Sequence, residues 1–276
     1  MNPPRMWNMA RPGFLIPVFF LSFFPGSGQV PWQESTGTAL GGCFASRTGM
    51  ANAMYNQAGL GRMKEHAISL HHARPFLIKE LGISSLSLQL PAERGGFGAT
   101  LSTTGIKGLR QLTSWIGYGL HLHPAIYAGV GINLMDNITL EYGHHLAAGC
   151  ALGIQTTVRD DLVLGAHVRN PLTWSTMEST TRSAPMELST GLSYTFFRTA
   201  TWHVDFQFRG GDRLRWCQGL EIFVTDYFRL LLGLSSAPYT LSGGISLKFR
   251  NQGITMATAS CFETGITPSL TLYHGW

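Results

Sequence analysis

The sequence predicts an all-β protein, a transmembrane antiparallel β-barrel of about fourteen strands whose lumen is plugged by an N-terminal segment. Three observations lead there. Alternation of apolar with small or polar residues begins near Glu65 and persists to Trp276. Only 13% of the 276 residues are Asp, Glu, Lys or Arg, about half the share in an ordinary soluble domain. No uninterrupted apolar run of about 18 residues is present to form a spanning helix. A barrel explains this combination, because lipid-facing residues are diluted by the small and polar residues that line the interior.

The alternation is clearest in Trp202, Val204, Phe206 and Phe208, interleaved with His203, Asp205, Gln207 and Arg209. Tyr239, Leu241, Ile245, Leu247 and Phe249 alternate in the same way with Thr240, Ser242, Gly244, Ser246 and Lys248. Successive side chains on a strand point to opposite faces, so each segment carries one apolar face and one small or polar face. Strands are expected to start near residues 65, 81, 95, 111, 125, 144, 161, 185, 200, 214, 227, 239, 252 and 264, with short connections on both sides. Turn residues fall between them at Pro91 to Gly95, Asp160-Asp161, Gly210-Gly211-Asp212 and Asn251-Gln252-Gly253. A soluble β-sandwich has the same period but shorter strands and a more charged exterior.

The N-terminus reads as three parts. Residues 1–28 form a signal peptide: Arg5 and Arg11 supply positive charge, Phe14 to Phe24 the apolar core, and Gly26 and Gly28 the small residues before the cut. Residues 29–64 form an extension and lumen plug, and residues 65–276 the barrel. Cleavage would lower the formal net charge from +5 to +3, too weak an imbalance to point to nucleic acid. Within the extension, Met50 to Leu60 reads as a short helix or irregular turn ending at Gly59 or Gly61.

Little in the chain points to chemistry. Cys43, Cys150, Cys217 and Cys261 show no CxxC pair, and spacing alone cannot pair them. No nucleophile elbow, zinc-helix motif or phosphate loop is present, so no catalytic residue, metal site or cofactor is assigned. His203 and Asp205, with Arg209 nearby, read as a lumen hydrogen-bond network. Aromatics including Trp115, Tyr127, Trp174, Tyr227, Tyr239 and Tyr273 cluster towards strand ends, as in an interfacial girdle. Leu270, Leu272, His274 and Trp276 share one face of the last segment and are expected to form the C-terminal assembly signal of an outer-membrane barrel.

The stretch Ala39-Leu40-Gly41-Gly42-Cys43-Phe44-Ala45, followed by Asn52-Ala53-Met54-Tyr55-Asn56-Gln57-Ala58-Gly59-Leu60-Gly61, is similar to the N-terminus of the PorV/PorQ-like barrels of Bacteroidota, within the FadL-like superfamily. Further segments resemble the family in order: His71 to Gly82, Leu164 to Pro171, Ile254 to Ser260 and Gly265 to Trp276. The resemblance implies that the segment before the first strand tucks into the lumen, with Met50, Asn52, Met54, Tyr55, Asn56, Gln57, Ala58, Gly59 and Leu60 as the plug. It also implies an accessory subunit of a multi-protein outer-membrane machine, in type IX protein secretion or outer-membrane protein assembly. Partners would then be other outer-membrane proteins or lipoproteins, besides the bilayer. The alternative is FadL-like transport of hydrophobic small molecules, which would require a strand kink and an apolar pocket. Gly117-Tyr118-Gly119 and Gly129-Val130-Gly131 suit either a kink or tight packing against a plug.

Overall fold

A computed structural model describes residues 34–50, 52–106, 108–139, 143–176, 185–210 and 214–276. The expected signal peptide, residues 1–28, lies outside the described residues. Fourteen strands form one closed antiparallel barrel in which each strand pairs with its sequence neighbours. The first half comprises β1 (Ala67–Ala73), β2 (Ile83–Ala92), β3 (Gly95–Ile106), β4 (Leu109–His123), β5 (Ile126–Thr139), β6 (Gly143–Arg159) and β7 (Leu162–Ser175). The second comprises β8 (Glu187–Phe196), β9 (Ala200–Arg209), β10 (Arg215–Thr225), β11 (Phe228–Ser235), β12 (Thr240–Phe249), β13 (Gln252–Cys261) and β14 (Gly265–Gly275). Pairing of β1 with β14, from Ala67 opposite Gly275 to Ala73 opposite Ser269, closes the ring. Closure excludes the sandwich, and every expected strand start lies within two residues of the observed one.

The faces are inverted relative to a soluble protein. On β1 the buried, inward residues are Ala67, Ser69, His71 and Ala73, whereas Ile68, Leu70 and His72 point out. Val130 and Ile132 at mid-strand are both 54% exposed, and Leu152 is 50% exposed. Inside, hydroxyl pairs bridge adjacent strands: Ser87 with Thr100 at 2.9 Å, Thr195 with Thr201 at 3.0 Å and Ser246 with Thr255 at 3.0 Å. An apolar outer belt around a polar interior is stable only in acyl chains, and closed barrels of even strand number and this polarity span bacterial outer membranes. This chain is such an outer-membrane barrel.

The two ends differ. At the end that carries Trp276, the connections between strands are two or three residues long. At the other end, nine residues join β1 to β2 and eleven join β7 to β8, while the remaining connections are two to five residues long, so the expectation of short connections fails at those two alone. The short-turn end, where the first and last strands meet, is the periplasmic one. Alternation sets strands but carries no information on loop length, since both loop types are built from the same turn residues.

Replacing mid-belt Leu152 with Arg is expected to lower folding stability by about 2–4 kcal/mol, while Phe249→Arg at the rim changes it by at most about 1 kcal/mol. Urea titration of folding into lipid vesicles measures both.

Candidate functional site

The site is the lumen together with a break in its wall. Residues 34–50 and 52–62 run inside the barrel as a short helix α1 (Ser35–Ala39), a chain of turns and a 3₁₀ turn (Gln57–Arg62). The helix α1 packs against β11 to β14, and the 3₁₀ turn against β2 to β6 on the facing wall. Ala39, Leu40, Cys43, Ala45, Ala58 and Leu60 have no solvent exposure at all. The segment therefore crosses the full width of the lumen.

Glycines in the wall make room for it. An ideal Cβ at Gly129 would collide with the Gln57–Ala58 backbone, and one at Gly119 with Gly61 and Gln57. At Gly98 it would stand 2.7 Å from the Leu60 side chain, and at Gly219 it would stand 2.8 Å from Leu40. Real Cβ contacts are never this short, so the wall lies at backbone distance from the segment. The glycine pairs of β4 and β5 thus serve packing, not a kink. The kink lies elsewhere.

Side chains of the wall and of the segment itself satisfy the segment's backbone groups. The Asp205 carboxylate accepts from the amides of Phe44 (2.6 Å) and Ala45 (2.8 Å). The Asn56 side chain accepts from Ala58 N (3.1 Å) and donates to the carbonyls of Ala45 (2.6 Å) and Ala166 (3.2 Å). Gln155 donates to Ala45 O and Arg47 O, Gln207 to Gly42 O (2.8 Å), and Arg215 to Gly41 O (3.2 Å). The Tyr55 hydroxyl accepts from Glu34 N (2.8 Å), and Glu34 pairs with Arg47 at 3.2 Å. A buried charge that accepts several hydrogen bonds stabilises the arrangement, whereas an unpaired one would destabilise it.

Of the residues expected in the plug, Asn52, Met54, Tyr55, Asn56, Gln57, Ala58, Gly59 and Leu60 are buried inside the barrel, and Met50 is half-buried. Sequence reasoning placed residues 29–64 in the plug but did not foresee α1, the burial of Leu40 or the wall partners of the Ser35–Arg47 stretch, which lie 108 to 236 residues away. The expected network of His203, Asp205 and Arg209 divides into three. His203 bonds to Ser193 (2.7 Å) and faces Glu221 (3.6 Å), Asp205 holds the segment, and Arg209 pairs with Glu187 at 3.7 Å. Trp115 corrects the girdle expectation: it is 6% exposed and points inward. Leu270, Leu272 and His274 face out on β14, and the Trp276 ring stacks 5.7 Å from His66 and 6.0 Å from His274. Among the described residues no group of three His, Cys, Asp or Glu side chains converges as a metal site.

The wall breaks in β7. Opposite β6 the register jumps between Ala151↔Arg169 and Gly149↔Thr173, so β7 carries two extra residues there. Asn170 takes a φ of 55°, a left-handed value that Asn tolerates, and Pro171 has no N–H to offer. The pairing of β7 with β8 ends at Arg169 opposite Glu187, while residues above the bulge stay with β6 through Ser175. Directly inside this point sit Phe44, Met54, Tyr55 and Trp115, a buried apolar cluster. The Arg169 guanidinium lies 5.2 Å from the Trp115 ring centroid and 6.0 Å from that of Phe44, donates to Met54 O (3.1 Å), and pairs with Glu187 (3.6 Å). Leu172 and Trp174, just beyond the bulge, are 75% and 62% exposed on the outer surface.

No protein-family model matches the sequence, and no curated protein matches it. Among solved structures the chain is similar to the CymD monoaromatic hydrocarbon channel, with a TM-score of 0.71 at 12% identity over 88% of this chain and 97% of that one. It is similar to the P. putida toluene transporter TodX, with a TM-score of 0.70 at 13% identity over 88% of this chain and 98% of that one. A Pseudomonas aeruginosa FadL homologue matches at a TM-score of 0.60 and 10% identity, over 89% of this chain and 97% of that one. At these identities the likeness establishes a shared barrel fold.

Replacing Asp205 with Ala leaves two buried amides without a partner and is expected to destabilise the protein by about 3 kcal/mol. Gly129→Val should expel the 3₁₀ turn from its seat and expose the residue 50–62 region to protease. Denaturant unfolding in detergent and limited proteolysis check the two.

Proposed function

We propose that this chain is a FadL-like outer-membrane channel that carries a hydrophobic small molecule, of the size of a monoaromatic hydrocarbon, through the side of the barrel. The observation that carries this reading is the β7 bulge at Asn170–Pro171, set against the apolar cluster of Phe44, Met54, Tyr55 and Trp115. A strand break beside an apolar lumen cluster is what lateral passage requires, because an apolar solute gains nothing from a polar axial route. The similarity in fold to a monoaromatic hydrocarbon channel and a toluene transporter supports the same reading. Residues 34–62 then act as the plug that closes the axis. In this reading residues 1–28 direct export, and the face of Leu270, Leu272, His274 and Trp276 serves barrel assembly.

Deleting Asn170 and Pro171 restores even register between β6 and β7 and should lower uptake of labelled toluene by cells at least about tenfold, since a closed wall removes the route. Undiminished uptake by a folded deletion variant would contradict the lateral route. Deleting residues 34–62 should raise ion conductance in planar bilayers, and unchanged conductance would contradict the plug.

A second reading rests on the tight fill of the lumen and on the PorV/PorQ-like N-terminal motif. A plugged barrel suits a scaffold, and the chain would serve as accessory subunit of a secretion or assembly complex, held by other outer-membrane proteins or lipoproteins. Mild-detergent purification separates the readings. Stoichiometric protein partners favour the scaffold; an isolated monomer favours the channel.

A further inference from the structure

At the periplasmic end of the barrel a shallow groove runs from the β12–β13 turn at the rim onto the outer wall across β1, β2, β13 and β14. Its lower part, about 770 Å³, is bordered by Tyr227, Lys248, Phe249, Arg250, Gln252 and His274. Its upper part, about 410 Å³, runs up the lipid-facing wall between Ile68, Leu70, Leu86, Ile254 and Leu272. The two parts share Phe249, Gln252 and His274, so one cleft passes from a basic rim to an apolar wall.

Each part has a distinct chemical preference. Lys248, at the end of β12 on the face that Ser246 turns inward, and Arg250, in the turn that follows, place two positive charges at the rim, and no carboxylate lines either part. Asp226 and Glu65 lie at the same end of the barrel but outside the cleft. The His274 ring is held in a stack with Trp276 and His66, which fixes one edge of the rim at the depth where aromatic girdles meet headgroups. Phe249 at the rim is 62% exposed and Leu70 above it 58%, apolar surface along which an acyl chain can lie. Lys248, Arg250, Gln252 and His274, which can all donate hydrogen bonds, stand beside an apolar furrow running up the wall and match an amphiphile with an anionic head and an acyl tail.

We propose that this groove binds a phospholipid with an anionic headgroup from the periplasmic leaflet. Lys248 and Arg250 hold the phosphate, His274 and Gln252 donate to headgroup or glycerol oxygens, and one acyl chain lies against Ile68, Leu70, Ile254 and Leu272. The leaflet follows from the fold, because the groove opens at the short-turn end that carries Trp276. Basic pockets at the edge of membrane-spanning segments bind lipid headgroups by this combination of charge and apolar contact.

The test is native mass spectrometry of the delipidated, folded full-length protein offered equal amounts of phosphatidylglycerol and phosphatidylethanolamine. The wild-type protein should retain phosphatidylglycerol preferentially. The doubly substituted Lys248→Ala, Arg250→Ala protein should bind it about thirtyfold more weakly, at roughly fivefold per basic residue near an anionic lipid. A heat-dependent gel shift confirms that the variant has folded, and the milder Lys248→Gln, Arg250→Gln pair replaces it if it has not. Equal retention of the two lipids by the wild-type protein, or unchanged phosphatidylglycerol binding by a folded variant, would overturn the proposal.

Discussion

The arrangement depends on one constraint: a closed barrel of fourteen strands encloses more space than small inward side chains can fill. Here the space is filled with polypeptide. Residues 34–62 enter at backbone distance because the facing wall is glycine where the segment touches it, at Gly98, Gly119 and Gly129 on one side and Gly219 and Gly233 on the other. Such closeness brings the segment's amides and carbonyls within hydrogen-bond range of wall side chains. Asp205, Gln155, Gln207, Arg215 and the segment's own Asn56 then satisfy groups that would otherwise be buried without partners. Glycine content, usually a weakness in strands, is therefore a packing requirement in this protein.

The strands were legible because their signal is local and physical. Lipid outside and a polar interior force a two-residue period, and each segment such as Trp202 to Arg209 declares its own faces. The candidate site was legible only in part. Asn52 to Leu60 could be recognised as a compact, non-alternating stretch before the first strand. Its partners could not, because Asp205, Gln155 and Arg215 look like any other lumen residue until closure brings them to Phe44, Ala45 and Gly41. Trp115 went unrecognised as a lumen residue for the same reason: an aromatic on a strand reads as girdle unless its parity is counted against the glycines of β4. The bulge had a signal that went unused. Asn170-Pro171 inside a strand-like run pairs a residue tolerant of left-handed backbone with one that cannot donate to a ladder, a combination that marks a break.

Filling and breakage belong together. The segment occupies the axis, and β7 parts from β8 at the level of the apolar cluster. Arg169 is the hinge of this geometry: it lies over Trp115 and Phe44, holds the Met54 carbonyl and ends the β7–β8 ladder opposite Glu187. One guanidinium thus ties the N-terminal segment to the last rung below the break.

The most direct measurement of the central claim, that the N-terminal segment is seated against a glycine wall, is amide hydrogen exchange at Phe44, Ala45, Ala58 and Gly59. These amides donate to Asp205, Asn56 side-chain and Asn56 main-chain oxygens in the seated state. The account predicts protection as long-lived as that of the strand amides around them. Exchange at the rate of an open chain, with the strands still protected, would contradict it.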